Sequence, residues 1–183
     1  MTSAPPRLIA VYSPANVLPR YRGTPIERLF MYHNLGHPAP VYERAEILIA
    51  ACMDNRKGFR IPEKFAFIIR TAAGNLRDNE FRTAFAIGVG GVRAIAIIGH
   101  TDCGMAGLRR RRRAFVDGLV ANAGWAEEDA ERFFDENAPR FEIESEAGFV
   151  AAEARRIRGL YPKVLVAPLL YKVESGLLYQ VEE

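Results

Sequence analysis

Cys52-Met53-Asp54-Asn55-Arg56 and His100-Thr101-Asp102-Cys103-Gly104 contain both cysteines of this 183-residue chain and one of its three histidines. Two thiolates and an imidazole are ligands of the kind zinc takes, and a site with three protein ligands leaves the fourth tetrahedral position open for water. Cys52, His100 and Cys103 are therefore the candidate ligands of one Zn2+ per chain. Two thiolates offset the charge of the ion, so its water should be less acidified than at a site of three neutral histidines, where the pKa falls to about 7. Asp54 can accept a hydrogen bond from a metal-bound oxygen and leave its lone pair aimed at an electrophilic carbon, while Arg56 holds the carboxylate through a charge-assisted pair.

Each residue also has a plainer reading. A lone buried cysteine is usually a small core residue; it is the conjunction with His100, Asp54 and Arg56 that favours a metal. Asp102, between two ligands, reads as a residue that caps the loop or orients the histidine. His33 and His37 have a helical four-residue spacing, but Gly36 and Pro38 interrupt any helix there, so they read as ordinary surface or interface residues.

The elements that must position these clusters follow from the apolar pattern. Short apolar runs over 46–52, 65–69, 92–98 and 164–170 have strand length, and helical candidates lie at 79–89, 106–120, 127–134 and 146–160. In the first of these helices Phe81, Phe85 and Gly88 share a face. Thr24, Pro25 and Glu27 mark a helix start, with the helix ending near Gly36. Strands alternating with helices imply parallel pairing through right-handed crossovers. The expected fold is a single α/β domain, a mainly parallel sheet of about four strands plus a C-terminal edge strand, flanked by helices. Cys52 closes the first strand and His100 follows the third, so both stand at carboxyl ends of parallel strands, where open α/β sheets form ligand crevices. Residues 1–24, punctuated by Pro5, Pro6, Pro14 and Pro19, read as an extended arm. Residues 25–183 form the zinc-binding α/β domain.

The pattern Cys-x-Asp-x-Arg at 52–56, a segment ending in Gly74-Asn75, then Gly-His-x-x-Cys-Gly at 99–104 resembles the β class of carbonic anhydrases. The resemblance runs from about residue 45 to the end and includes the C-terminal strand pair VLVAPLLYKVESGLLYQV. It implies zinc on Cys52, His100 and Cys103, a dyad of Asp54 and Arg56 beside the metal, and reversible hydration of carbon dioxide to bicarbonate by a metal-bound hydroxide. In the family the aspartate can instead take the fourth metal position and close the site. The resemblance also implies a dimer or a multiple of dimers, for which residues 21–45, rich in aromatic and apolar positions, suit a partner-facing role; a monomer could equally tuck them inward. Gly99 and Gly104 are expected to let the second ligand loop turn tightly.

Two departures bear on the substrate. The stretch between Cys52 and Arg70 is short for a helix plus loop, and Arg60-Ile61-Pro62 cuts across it. The family's Arg-Asn-Ala-Gly loop becomes Arg70-Thr71-Ala72-Ala73-Gly74, in which Ala73 would shift the loop if its position demands positive φ. Hydrolysis of a related electrophile, carbonyl sulfide or carbon disulfide, and a zinc-binding member with little activity are the alternatives.

The formal charge of +3 is a local matter, because removing the five arginines at 109–113 leaves −2. Consecutive residues on a helix point in every direction, so this run cannot make a one-sided nucleic-acid stripe. Residues 127–146 carry nine acidic residues and two arginines, and pairing with them is the more economical use of the run. No stretch resembles a signal peptide or a membrane span. The expectation is a soluble cytoplasmic protein that binds a small molecule and neither nucleic acid nor membrane.

Overall fold

Ile47–Cys52 and Ala94–His100 are buried along their whole length, which only a strand covered on both faces can be. The computed structural model, which describes residues 6–56 and 58–183, places them side by side at the centre of one mixed sheet. In chain order the strands are β1 (Arg7–Ala10), β2 (Ile47–Cys52), β3 (Ala66–Thr71), β4 (Ala94–His100), β5 (Leu165–Lys172) and β6 (Leu177–Glu182). Their spatial order is β1-β6-β5-β4-β2-β3. The β3, β2, β4 and β5 strands are mutually parallel, and β6 and β1 add antiparallel neighbours.

The helices are α1 (Pro25–His33), α2 (Glu80–Gly88), α3 (Arg112–Ala123), α4 (Glu127–Phe141) and α5 (Glu146–Leu160). Successive strand residues face opposite ways, so the central strands feed two cores. Ile47, Ile49, Ala51, Ala96 and Ile98 pack with Ile26, Leu29 and Phe30 of α1. Leu48, Ala50, Ile95 and Ile97 pack with Val150, Ala154 and Ile157 of α5 and Ala86 of α2. The Thr24 hydroxyl caps α1 by accepting from the Ile26 amide at 3.2 Å, and Ser145 caps α5 in the same way through Gly148.

Several expectations are revised. Within the segment read as an arm, Arg7–Ala10 pair antiparallel with β6, and Val11, Val17 and Tyr21 are buried in the first core. Among the described residues the sheet therefore has six strands, and the C-terminal strand is flanked by β1 rather than at the edge. A short apolar run can pair wherever an unpaired edge remains, which composition alone does not reveal. Leu29, Phe30 and Tyr42 also turn inward. The shared face of Phe81 and Phe85 points outward, with Phe81 83% exposed, because the residues of α2 that meet the core are Thr83 and Ala86.

The arginine run meets acidic partners inside the fold. Arg109 pairs with Glu142, Arg112 with Glu131 and Asp135, and Arg113 with Asp117 and Glu127. Among the described residues, no helix is long and apolar enough to cross a membrane.

Candidate metal centre

Cys52 is the last residue of β2 and His100 the last of β4, and these strands are direct parallel neighbours. Cys103 follows in the turn after β4. The two sulfurs and an imidazole nitrogen all lie within 4.8 Å of one another, and all three residues are buried. The sequence thus brings together the three expected ligands.

The tautomer of His100 follows from its partner. Its Nδ1 lies 2.9 Å from the Thr101 carbonyl oxygen, which can only accept, so Nδ1 carries the proton and Nε2 presents a lone pair. That Nε2 is buried and has no hydrogen-bond partner. A buried acceptor without a partner is costly in an apolar pocket, and a cation between it and the two sulfurs would satisfy it. The donor set fits a soft divalent ion.

The thiols share a proton when no metal is bound. A hydrogen bond from Cys103 holds the Cys52 thiol well below its ordinary value, opposed by burial, with a further lowering contribution from His100. The same hydrogen bond, with burial, pushes the Cys103 thiol up. The backbone of this turn is held from α5, where Glu146 Oε1 accepts from the Cys103 amide at 3.1 Å.

Asp54 and Arg56 form the expected dyad. Arg56 Nε and Nη2 donate to the two carboxylate oxygens at 2.8–3.1 Å, and the Arg56 amide donates to Oδ1 at 2.8 Å. Asp54 Oδ2 stands 3.9 Å from His100 Nε2, so the carboxylate reaches the edge of the ligand triangle. Arg56 also donates to Asp102, through Nη1 to Oδ2 at 2.7 Å and through Nη2 to its main-chain oxygen at 2.8 Å. One guanidinium ties the loop of the first ligand to the loop of the other two. The Asp102 carboxyl is held below its usual range by Arg56. Asp102 thus acts on Arg56 rather than on the histidine, and its own φ of +56° makes the turn.

Comparison with solved structures adds the fold. The chain is similar to a carbonic anhydrase from Glaciozyma antarctica, at 21% identity over 88% of this chain and 98% of that one, with a TM-score of 0.59. A carbonic anhydrase from Streptococcus mutans gives 17% identity over 91% and 100%, also at 0.59, and β-carbonic anhydrase isoform I of Trichomonas vaginalis gives 21% over 84% and 91%, at 0.58. The chain has the β-carbonic anhydrase fold. No family model matches the sequence, and no curated protein does.

Within the β-carbonic anhydrase fold, Ala73 meets the condition set out from the sequence, while Gly99 and Gly104 depart from the sequence reading. Ala73 does adopt φ +56°, the conformation that its expected glycine would take freely, and its methyl group is buried in the cluster of Cys52, Cys103 and Ile143. Gly99 lies inside β4 instead of the turn, where a Cβ would come within 2.9 Å of Val150 Cγ1 on α5; its smallness serves helix packing. Gly104 has no atom within 4 Å of a Cβ position, so the turn does not require it.

Sequence reasoning missed two anchors. Glu153, buried on α5, accepts from the Leu76 amide at 3.0 Å and pairs with Arg156 at 2.7 Å, fixing the end of the loop that carries Ala73. Its position in an apolar helical repeat was a signal, since a glutamate there needs a buried partner. His33 is the other, a buried residue rather than a surface or interface one.

Proposed function

We propose that this protein is a zinc-dependent carbonic anhydrase that hydrates carbon dioxide reversibly to bicarbonate. The observation that carries this reading is the unpartnered Nε2 of His100, buried between two cysteines and beside a carboxylate held from two sides by one arginine. Cys52, His100 and Cys103 would hold Zn2+, which when bound supplies a Lewis acid that lowers the pKa of water.

The chain's own groups then have assignable tasks. Both Asp54 oxygens are engaged by Arg56, which fixes the carboxylate in orientation. From there Asp54 could accept a hydrogen bond from a water or hydroxide oxygen held beside the three candidate ligands and orient that oxygen toward a carbon centre. Arg56 is in turn fixed by Asp102, so the dyad is oriented before substrate arrives, as electrostatic catalysis requires.

Stopped-flow measurement of carbon dioxide hydration by the zinc-loaded chain, with Cys52→Ser as control, tests this. A zinc-dependent rate that rises toward alkaline pH and disappears in the variant is expected. The absence of any zinc-dependent rate would overturn it.

A second reading has one specific observation behind it. An apolar groove of about 380 Å3, lined by Met105, Leu108, Phe115, Phe134 and Phe141, reaches Ala72 beside the metal loops. Such a lining suits a wholly apolar electrophile, carbonyl sulfide or carbon disulfide. The chain is also similar to a structure titled carbon disulfide hydrolase, at 20% identity over 84% of each chain with a TM-score of 0.52. Release of sulfide from either compound faster than hydration of carbon dioxide would favour this reading.

The carbonic anhydrase reading implies a homodimer or a multiple of dimers. Phe67 and Ile68 on the outer strand β3, with Phe81 and Phe85 beside them, expose an apolar surface next to a strand edge that no other strand among the described residues pairs with, the kind of surface a second copy covers. Sedimentation of Phe85→Glu as a smaller species than the wild type is the expected outcome; a monomeric wild type would count against the dimer.

A further inference from the structure

His33 closes α1, remote in sequence from both ligand clusters, yet it is buried and both of its ring nitrogens are engaged. Nδ1 lies 3.0 Å from the Arg60 amide nitrogen, which can only donate. Nε2 lies 3.0 Å from the Gly176 carbonyl oxygen, which can only accept. These partners require the neutral ring with its proton on Nε2. Burial, the largest influence, lowers the His33 pKa and favours that form.

The segment that His33 grips leads directly from the dyad. Among the described residues, no helix or strand lies between Cys52 and Ala66, so the path of the segment depends on side-chain anchors. The Arg56 bonds to Asp102 hold its beginning. Farther on, the Gly58 amide donates to the Tyr171 hydroxyl at 3.4 Å. Phe59 then sits edge-on to Tyr171 and His33, at centroid distances of 5.3 and 6.1 Å, with Arg70 over its face at 5.1 Å. Arg70 Nη1 also donates to the Cys52 carbonyl at 3.1 Å. Tyr171 pairs with His100 across β5 and β4. The ring of His33 therefore joins α1, the β5–β6 turn and the segment that carries Asp54 and Arg56.

We propose that His33 is a positioning residue for the Asp54–Arg56 dyad, acting as a two-ended hydrogen-bond clamp that fixes the segment following Arg56 against the β5–β6 turn. A residue that only filled space here could be replaced by an apolar side chain of similar size; a clamp could not. His33's effect on turnover rests on the carbonic anhydrase reading, whereas its hold on the segment does not.

Amide hydrogen exchange of the intact protein, with and without zinc, reads the clamp directly. His33→Leu leaves the Arg60 amide and the Gly176 carbonyl, part-buried in these two bonds, without their ring partner, so exchange at Arg60 and its neighbours back toward Asp54 should rise about tenfold, while α5 keeps its protection. His33→Gln, whose amide offers one acceptor and one donor, should restore most of that protection. Unchanged exchange in His33→Leu overturns the proposal, and so does an equal rise throughout the chain or equal behaviour of the Leu and Gln variants.

The wild type offers a test that requires no variant to fold. The 15N shifts of His33 should show a bare Nδ1 and a protonated Nε2 at neutral pH; a protonated Nδ1 overturns the clamp. If carbon dioxide is hydrated, His33→Leu should lower kcat about tenfold with little change in KM, and should add little to the loss already caused by Arg56→Ala. Fully multiplicative losses overturn the link to the dyad. If carbon dioxide is not hydrated, the reading of function fails, and exchange and 15N shifts still decide for or against the clamp.

Discussion

Gly74→Ala probes how closely the ligand loops are built onto the sheet. Gly74 adopts φ +82°, and a Cβ on it would lie 3.3 Å from both the Ala50 and Ile98 carbonyl oxygens and 3.4 Å from Ala51 Cα. All three are backbone atoms of β2 and β4, so no side chain can swing away. An L-residue in the left-handed region costs about 1–2 kcal/mol, and crowding against fixed backbone adds about 1 kcal/mol. A stiffer unfolded chain returns about 0.4–1 kcal/mol, leaving a net loss of about 2 kcal/mol. For a chain of this length each kcal/mol corresponds to about 2–4 °C, so the melting temperature should fall by about 4–8 °C. Circular dichroism melts of wild type and variant measure this. Ala50 and Ile98 stand two residues before Cys52 and His100, so backbone relief also displaces the ligands, and metal affinity should fall by about tenfold. Gly104→Ala is the control, because its Cβ would meet nothing within 4 Å; it should stay within about 0.5 kcal/mol of wild type. A Gly74→Ala melt within about 1 °C of wild type would refute the reasoning.

Cys103→Ser should lose stoichiometric zinc by native mass spectrometry, because a serine hydroxyl does not ionise to a ligand as a thiol does. Arg56→Lys keeps the charge but cannot grip Asp54 bidentately and reach Asp102 at once; zinc content should hold while kcat falls about tenfold, measured by stopped flow. In the metal-free protein, far-ultraviolet absorbance should show one thiolate per chain at neutral pH, since Cys52 is held down by Cys103. There the folded chain binds one proton fewer than the unfolded chain, so stability from this pair rises with pH over that window. It is lost as pH falls through the folded Cys52 value, and Cys103→Ser should remove the slope in urea melts.

Residue chemistry and spacing in the sequence determined the candidate ligands, the Asp54–Arg56 pair and the parallel strands that present them. Thiols, imidazole and carboxylate declare their chemistry by type, and fully apolar runs declare central strands because only a doubly covered strand can be apolar throughout. The helix start at Thr24 was legible through local capping. What the sequence left open involves partners distant along the chain. Arg7–Ala10 becomes a strand only because β6 leaves an edge free. Asp102 turns to Arg56 because two loops converge after β2 and β4 come together. Gly99 is small for the sake of a helix that begins 47 residues later, and its spacing from His100 only suggested a turn. His33 reads as a surface residue beside Gly36 and Pro38, and only packing brings the Arg60 amide and the Gly176 carbonyl to its two nitrogens. Hydrogen bonds between distant segments depend on where the backbone runs, and no local pattern encodes that path; tertiary structure alone decided which groups hold the site in place.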